Sequence, residues 1–194
     1  MEDPSEIPAY MRGRVRHILF PAILAGLTIF GIATVWDITL YGIIFACFGS
    51  SAFIVYVNPR SEYASVHNIL GAYPLAGFFG YFTIEYILPY INYLLIYLGL
   101  SKELDYAIAG GFAVGITILA MLVTGFKHPP AGGAALAFVI PKATGSVDVG
   151  AVFFLIGGGI TLLVLAKILT FMIKEEYKLE EAIRHALHPV RKER

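Results

Sequence analysis

The sequence predicts an all-α fold, a polytopic bundle of transmembrane helices, and two observations carry this prediction. Only 14% of the 194 residues are charged and 58% are hydrophobic, whereas a soluble globular domain usually carries about 25% charged residues. The charges cluster at the two ends and in short gaps, and the apolar runs between them can cross a bilayer, which takes about 20 residues each. We therefore expect one transmembrane domain over residues 1–194, in contact with the lipid bilayer.

The composition also argues against several other classes of protein. The formal net charge is zero, so no overall field attracts nucleic acid. The single cysteine, Cys47, excludes an internal disulfide framework and a cysteine-based metal cluster, and we predict no cofactor and no metal. The HExxH, GxSxG, paired-aspartate and P-loop signatures are absent, so we do not expect an enzyme.

The apolar runs divide into about six candidate spans. These are approximately residues 18–36, 39–57, 66–90, 104–125, 129–140 and 149–173. The fifth is short: at about 1.5 Å per residue it reaches only about 18 Å, against a bilayer core of about 30 Å. It is expected to be either a re-entrant half-helix or a short span that is shielded by its neighbours.

Basic residues predict that both chain termini are cytoplasmic in the plasma membrane. Arg12, Arg14 and Arg16 lie in the segment that precedes the first span, residues 1–17, and further lysines and arginines lie in the tail, residues 174–194. The positive-inside rule places both segments in the cytoplasm. Both ends inside require an even number of crossings, so the short fifth segment should cross. The alternative, five crossings, would expose the basic tail.

Six crossings divide into three plus three, as in an inverted repeat. The middle segment of the first half contains Gly49-Ser50-Ser51-Ala52, and that of the second contains Gly132-Gly133-Ala134-Ala135. An apolar run and a proline follow each of them, with a one-residue gap in the alignment. The alternative interpretation is that small residues simply let helices approach closely.

The most distinctive stretch is Lys127-His128-Pro129-Pro130-Ala131-Gly132-Gly133. Two adjacent prolines suit the first turn of a helix but not its interior. We therefore expect the preceding helix to end near Gly125 and a new one to start near Pro129, with His128 near the cap. Free N–H groups at such a helix start favour anions, and Lys127 adds a positive charge. The alternative is a structural kink packed by glycines.

Further polar residues lie inside or beside the spans, where they are functional candidates. Arg60, His67 and Asn68 fall on the same predicted inner side as the Lys127-His128 pair. Ser50 and Ser51 either bond between helices or line a path. The gathering of donors on one face favours an anion site.

The stretch from His128 to Leu136, His-Pro-Pro-Ala-Gly-Gly-Ala-Ala-Leu, resembles the signature of the HPP family of integral membrane proteins. Phe48-Gly49-Ser50-Ser51-Ala52 and Asn68-Ile69-Leu70-Gly71 resemble two further blocks of that family. The resemblance implies a link to nitrite transport, which is associated with members in cyanobacteria and chloroplasts. One departure is His67, which stands where family members commonly have an arginine. If that arginine helps to bind an anion, the role here is weaker or depends on pH, unless Arg60 substitutes.

The leading hypothesis is therefore a transporter or channel for a small solute, a small inorganic anion such as nitrite, that passes between the two halves. The alternative is a non-transporting membrane sensor or assembly subunit whose basic tail docks a partner. A homo-oligomer is expected, because so small a bundle does not readily enclose a pore. The residues predicted to bind the solute are Lys127, His128, Pro129, Pro130, Gly132, Gly133, Ser50, Ser51, Arg60, His67 and Asn68.

Overall fold

Helices account for nearly all of the chain that the structure describes. The structure, a computed structural model, describes the backbone of residues 9–36, 38–100, 104–142 and 149–187, and the side chains of residues 19–36, 44–100, 104–140 and 149–171. No strand occurs within these ranges, so the predicted all-α fold is confirmed. The side chains of the predicted cytoplasmic segments, residues 1–17 and 174–194, lie outside the described ones.

Each predicted span coincides with a helix. The helices are α1 (Ala9–Val35), α2 (Ile38–Val57), α3 (Val66–Phe82), α4 (Leu88–Tyr97), α5 (Leu104–Thr124), α6 (Pro130–Lys142) and α7 (Val149–Leu187). Helix α7 has 39 residues and continues well past the predicted end of the sixth span. Helix α6 has only 13 residues, as the short fifth segment predicts.

The third predicted span continues beyond its expected end at residue 90. A π-helical turn, Thr83–Ile87, joins α3 to α4 without a break in the helical backbone. Pro89 explains this turn, because a proline lacks the N–H that a regular helix would bond and its ring crowds the carbonyl four residues earlier. The wider turn removes that conflict and carries the apolar helix on to Tyr97.

Two described segments, Leu104–Thr124 and Val149–Phe171, are long and apolar enough to cross a membrane, with mean hydropathies of 2.2 and 2.4. Leu19–Val35, Ile44–Val57 and Pro130–Ile140 are shorter apolar helical segments. Large apolar side chains are exposed around the bundle, among them Phe30 at 68% and Phe153 at 65%. Such a surface is unfavourable in water and suits contact with lipid.

Helices α6 and α7 each pack against three helices, and α2 and α3 contact both of them. The contacting pairs are α1 with α2 and α7, α2 with α6 and α7, α3 with α5, α6 and α7, and α5 with α4 and α6. Ala131, Ala134, Ala135 and Phe138 of α6 have no exposed surface. This short helix is therefore enclosed by its neighbours, and whether it is a re-entrant half-helix or a short span stays a prediction.

Several described glycines allow aromatic side chains to pack directly on a helix backbone, and the two with the closest contacts are Gly71 and Gly157. Trp36, which follows α1, lies against Gly157 of α7, and Phe126, which follows α5, lies against Gly71 of α3. A Cβ atom added at either glycine would stand 2.2 Å from the aromatic ring. Any larger residue would force the ring away.

Candidate functional site

The boundaries of the helices around the His128 motif agree with the sequence prediction. Helix α5 ends at Thr124, and Gly125 follows with a φ of +81°, which a glycine adopts at little cost. Helix α6 begins at Pro130, so both prolines stand where their missing N–H groups cost least.

The backbone N–H groups in the first turn of α6 are not free, although the sequence predicts free groups there that could bind an anion. Pro129 and Pro130 have no N–H. The N–H of Ala131 donates to the carbonyl of His128 at 3.0 Å, and the N–H of Gly132 donates to the carbonyl of Pro129 at 3.0 Å. These donors are engaged within the turn, so the prediction that they stand free for an anion is wrong for this conformation.

His128 forms part of a buried chain of hydrogen bonds. Its ring has no exposed surface; its Nδ1 lies 2.8 Å from the carbonyl oxygen of Tyr63, and its Nε2 lies 2.7 Å from Ser51 Oγ. A carbonyl only accepts, so Nδ1 carries the hydrogen, and in the neutral ring Nε2 accepts from the Ser51 hydroxyl. The Tyr73 hydroxyl donates to Ser51 Oγ in turn. The chain runs Tyr73 to Ser51 to His128 to Tyr63.

Burial sets the charge state of His128. Burial lowers the pKa of His128 to about 4, and the hydrogen bond to the Tyr63 carbonyl opposes part of that shift. The imidazole is therefore neutral near pH 7, in agreement with the directions of its hydrogen bonds. A neutral histidine that is bonded at both nitrogens joins α2, α3 and the start of α6.

Residues 58–65, here called the α2–α3 loop, close over this chain. The Glu62 carboxylate pairs with Lys127 Nζ at 3.3 Å, and both side chains are about half exposed, at 54% and 44%. Asn68 donates from Nδ2 to the Glu62 carbonyl at 2.7 Å, and its N–H donates to Ser65 Oγ at 3.2 Å. Because Lys127 and Glu62 offset each other's charge, the attraction that Lys127 exerts on an anion is reduced.

A cleft of about 820 Å³ lies between α2 and the start of α6. It is open along one side, and its walls are mostly apolar. Its lining residues are Ala46, Cys47, Gly49, Ser50, Phe53, Ile54, Pro129, Pro130 and Gly133. The adjacent serines therefore have different surroundings: Ser50 faces the cleft, whereas Ser51 is buried in the hydrogen-bond chain.

The predicted binding residues do not converge on one site. Ser50, Pro129, Pro130 and Gly133 line the cleft, whereas Ser51 and His128 lie in the buried chain. Asn68 secures the α2–α3 loop. Arg60 is exposed on that loop, and the ring of His67 packs on Phe126 at 4.8 Å. Gly132 is buried against α5, and Lys127 pairs with Glu62. Their binding of a solute stays a prediction.

Sequence reasoning missed three members of this region. Tyr73 stands inside an apolar run, where its ring suggests only packing, yet a buried tyrosine hydroxyl usually finds a partner. Tyr63 contributes its backbone carbonyl, which no side-chain pattern reveals. Glu62 contributes the carboxylate opposite Lys127, and only the tertiary structure brings together residues so far apart in sequence.

Comparison with known families gives one match. Residues 11–178 match the family described as HPP, transmembrane region. This range covers most of the chain and bears out the resemblance seen in its motifs. No curated protein matches the chain, and no solved structure does.

Proposed function

From the premise that this chain belongs to the HPP transmembrane family, we propose that it transports a small solute across the plasma membrane. The solute would pass between two halves of the bundle, α1–α3 and α5–α7, and the cleft between α2 and α6 would form part of its path. The observation that carries this proposal is the position of the cleft, where the middle helices of the two halves meet. No catalytic step forms part of it.

We infer that the two halves are inverted repeats, with both termini cytoplasmic and six crossings. The contacts between helices support this. If α1 is exchanged with α5, α2 with α6 and α3 with α7, the pair α1–α2 becomes α5–α6, α1–α7 becomes α3–α5, and α2–α7 becomes α3–α6. The pairs α2–α6 and α3–α7 map onto themselves. Within the described residues, each substantial contact among these helices has its counterpart.

The two aromatic–glycine contacts provide independent support. Trp36 at the end of α1 packs on Gly157 of α7, and Phe126 at the end of α5 packs on Gly71 of α3. The same exchange of helices turns one contact into the other.

The cleft fits the boundary between two such repeats. The sequence register that pairs Gly49 with Gly132 also pairs cleft-lining residues at equivalent positions, namely Ala46 with Pro129, Cys47 with Pro130, and Ser50 with Gly133. The cleft thus lies where α2 and α6 face each other. Transporters built from inverted repeats commonly bind their substrate at such an interface.

We propose a small inorganic anion such as nitrite as the solute. Within the described residues the cleft has no charged lining side chain, so an anion with one charge suits it better than a more strongly hydrated anion with several charges. The Ser50 hydroxyl provides a hydrogen bond in the cleft. Arg60, exposed on the α2–α3 loop, provides a positive charge at the proposed cytoplasmic mouth.

A homo-oligomer completes the proposed path. Gly49, Ser50 and Phe53 are exposed on the open side of the cleft. In a single chain this side would meet lipid, which cannot satisfy a polar solute. A second copy packed over the small residues of α2 and α6 would enclose the cleft.

The alternative, a non-transporting sensor or assembly subunit, has one observation in its favour. The His128 motif makes internal contacts that a purely structural core would also need. A fixed partner that copurifies with the chain, together with an absence of solute flux, would favour this second function.

Substitution of Gly133 tests the path. A Cβ at Gly133 would lie 3.7 Å from Cys47 Sγ across the cleft, so the larger side chain of Gly133→Leu should obstruct the cleft between α2 and α6. We expect nitrite uptake into vesicles that contain the purified protein to fall at least about 10-fold, as a blocked path requires.

The matched control is Gly115→Leu on α5, where an added Cβ meets nothing within 4 Å and uptake should be unchanged. Both variants must remain monodisperse for the comparison. Equal uptake by Gly133→Leu and the unmodified chain would contradict the assignment of the path to this cleft.

A further inference from the structure

The Ser51 hydroxyl has a choice of acceptors. Ser51 Oγ lies 2.7 Å from His128 Nε2 and 3.2 Å from the carbonyl oxygen of Cys47. It has one hydrogen to donate, so it bonds only one of them at a time. The Tyr73 hydroxyl donates to Ser51 Oγ in either case.

This choice of acceptors lets the hydrogen-bond chain accommodate a proton on His128. In the neutral state Ser51 donates to Nε2. In the protonated state Nε2–H donates to Ser51 Oγ, and the Ser51 hydroxyl turns to the Cys47 carbonyl. Nδ1–H donates to the Tyr63 carbonyl in both states. No hydrogen bond is lost, so the energetic difference between the states is the charge itself.

The groups around the ring do not offset that charge. Cys47 on α2, Tyr73 on α3 and Tyr63 on the α2–α3 loop are the titratable residues beside the hydrogen-bond chain, and none of them is a carboxylate. The Glu62 carboxylate on the loop is paired with Lys127. Within the described residues, the hydrogen-bond partners of the ring include no carboxylate. A buried cation without a counter-ion is strongly unfavourable, and exposure to water relieves it.

The α2–α3 loop is the element that can move away from His128. It closes over His128 through the Tyr63 carbonyl and the half-exposed Glu62–Lys127 pair, and an exposed ion pair contributes little free energy. We propose that His128 is a proton-binding site, and that a proton bound there releases the α2–α3 loop next to Pro129 and Pro130, which line the cleft. The release of the loop does not depend on the proposed transport function.

The linkage between proton binding and opening of the loop sets the sign and the size of the pH dependence. The pKa of His128 is about 4 with the loop closed and would return toward about 6.5 in water. The closed state is therefore favoured above pH 6.5 and loses that advantage as the pH falls toward 4. Between pH 7.5 and pH 5, the fraction of molecules with an open loop should rise about 25-fold.

Hydrogen exchange in the purified full-length chain tests the loop directly. Exchange of residues 58–68 is measured at both pH values and corrected for intrinsic exchange rates. We expect the 25-fold rise in the unmodified chain, and no rise in His128→Asn, which keeps a donor near the Tyr63 carbonyl but does not titrate. The control His67→Asn removes an exposed neighbouring histidine and should keep the full response.

Any of three results would overturn the proton site. Exchange of residues 58–68 does not rise at pH 5 in the unmodified chain, it still rises in His128→Asn, or it no longer rises in His67→Asn. If His128→Asn does not fold, the His67→Asn chain still decides, because its loop must open on acidification with a midpoint below pH 6.5. Nitrite uptake into vesicles separates the two proposals. If the loop opens in acid but no nitrite is taken up, the proton site stands and transport is contradicted. If nitrite is taken up but opening of the loop does not depend on pH, transport stands and the proton site is contradicted.

Discussion

At the scale of the residue, the region around the motif depends on buried hydrogen bonds rather than on free charges. His128 and Ser51 have no exposed surface, and each bonds to groups from other parts of the chain. An unpaired polar group in such a place costs about 1–3 kcal/mol. The motif therefore contributes to stability as well as to any function.

Ser51→Ala tests this directly. The substitution removes the donor to His128 Nε2 and the acceptor of the Tyr73 hydroxyl, leaving both groups buried without a partner. We expect the free energy of unfolding to fall by about 2–4 kcal/mol, measured by denaturant titration in detergent. Ser50→Ala, next to it but exposed in the cleft, should change stability by less than about 0.5 kcal/mol. Equal effects of the two substitutions would contradict the structural role of Ser51.

The sequence predicts some of these residue-level features and not others. The break between Gly125 and Pro130 is predictable because a glycine with positive φ and two prolines act locally. The burial of His128 is not, because its partners are a backbone carbonyl and two hydroxyl groups on distant segments. The occupied N–H groups of Ala131 and Gly132 follow from a tight first turn, which residue types alone do not specify.

At the scale of the element, helices and their ends follow apolar runs and breakers in the sequence. The exception is the junction of α3 and α4, where a π-helical turn at Thr83–Ile87 carries the helix past its expected end. Pro89 suggests an end to the helix, but one wide turn accommodates it. Tertiary contacts of α4 with α5 stabilise that extension, and no local pattern encodes them.

The two glycine contacts give a prediction at this scale. In Gly71→Ala and Gly157→Ala, the new Cβ would overlap Phe126 and Trp36, each at 2.2 Å, so a ring must move. We expect each substitution to lower the free energy of unfolding by about 1–3 kcal/mol, and by similar amounts if the halves are equivalent.

Gly26→Ala, where an added Cβ meets nothing within 4 Å, is the control. It should be neutral or slightly stabilising, because alanine favours a helix by up to about 1 kcal/mol over glycine. A loss of stability in only one of the two substitutions would count against corresponding contacts in the two halves.

At the scale of the whole molecule, the proposed function is transport of a small solute between two halves of the bundle. The apolar surface and family membership define a membrane protein. The matched contacts between helices and the cleft between α2 and α6 support the path. The sequence suggests the repeat only through two short runs of small residues, because packing constrains the size of residues at a helix contact more than their identity.

The most direct test of that claim is nitrite uptake before and after a thiol reagent modifies Ser50→Cys in a Cys47→Ala chain. Position 50 lies in the cleft, so the attached group should abolish uptake, whereas the same modification of Gly115→Cys, away from the cleft, should leave uptake intact. Uptake that survives full modification at position 50, or no nitrite uptake by the unmodified chain, would contradict nitrite transport through this cleft.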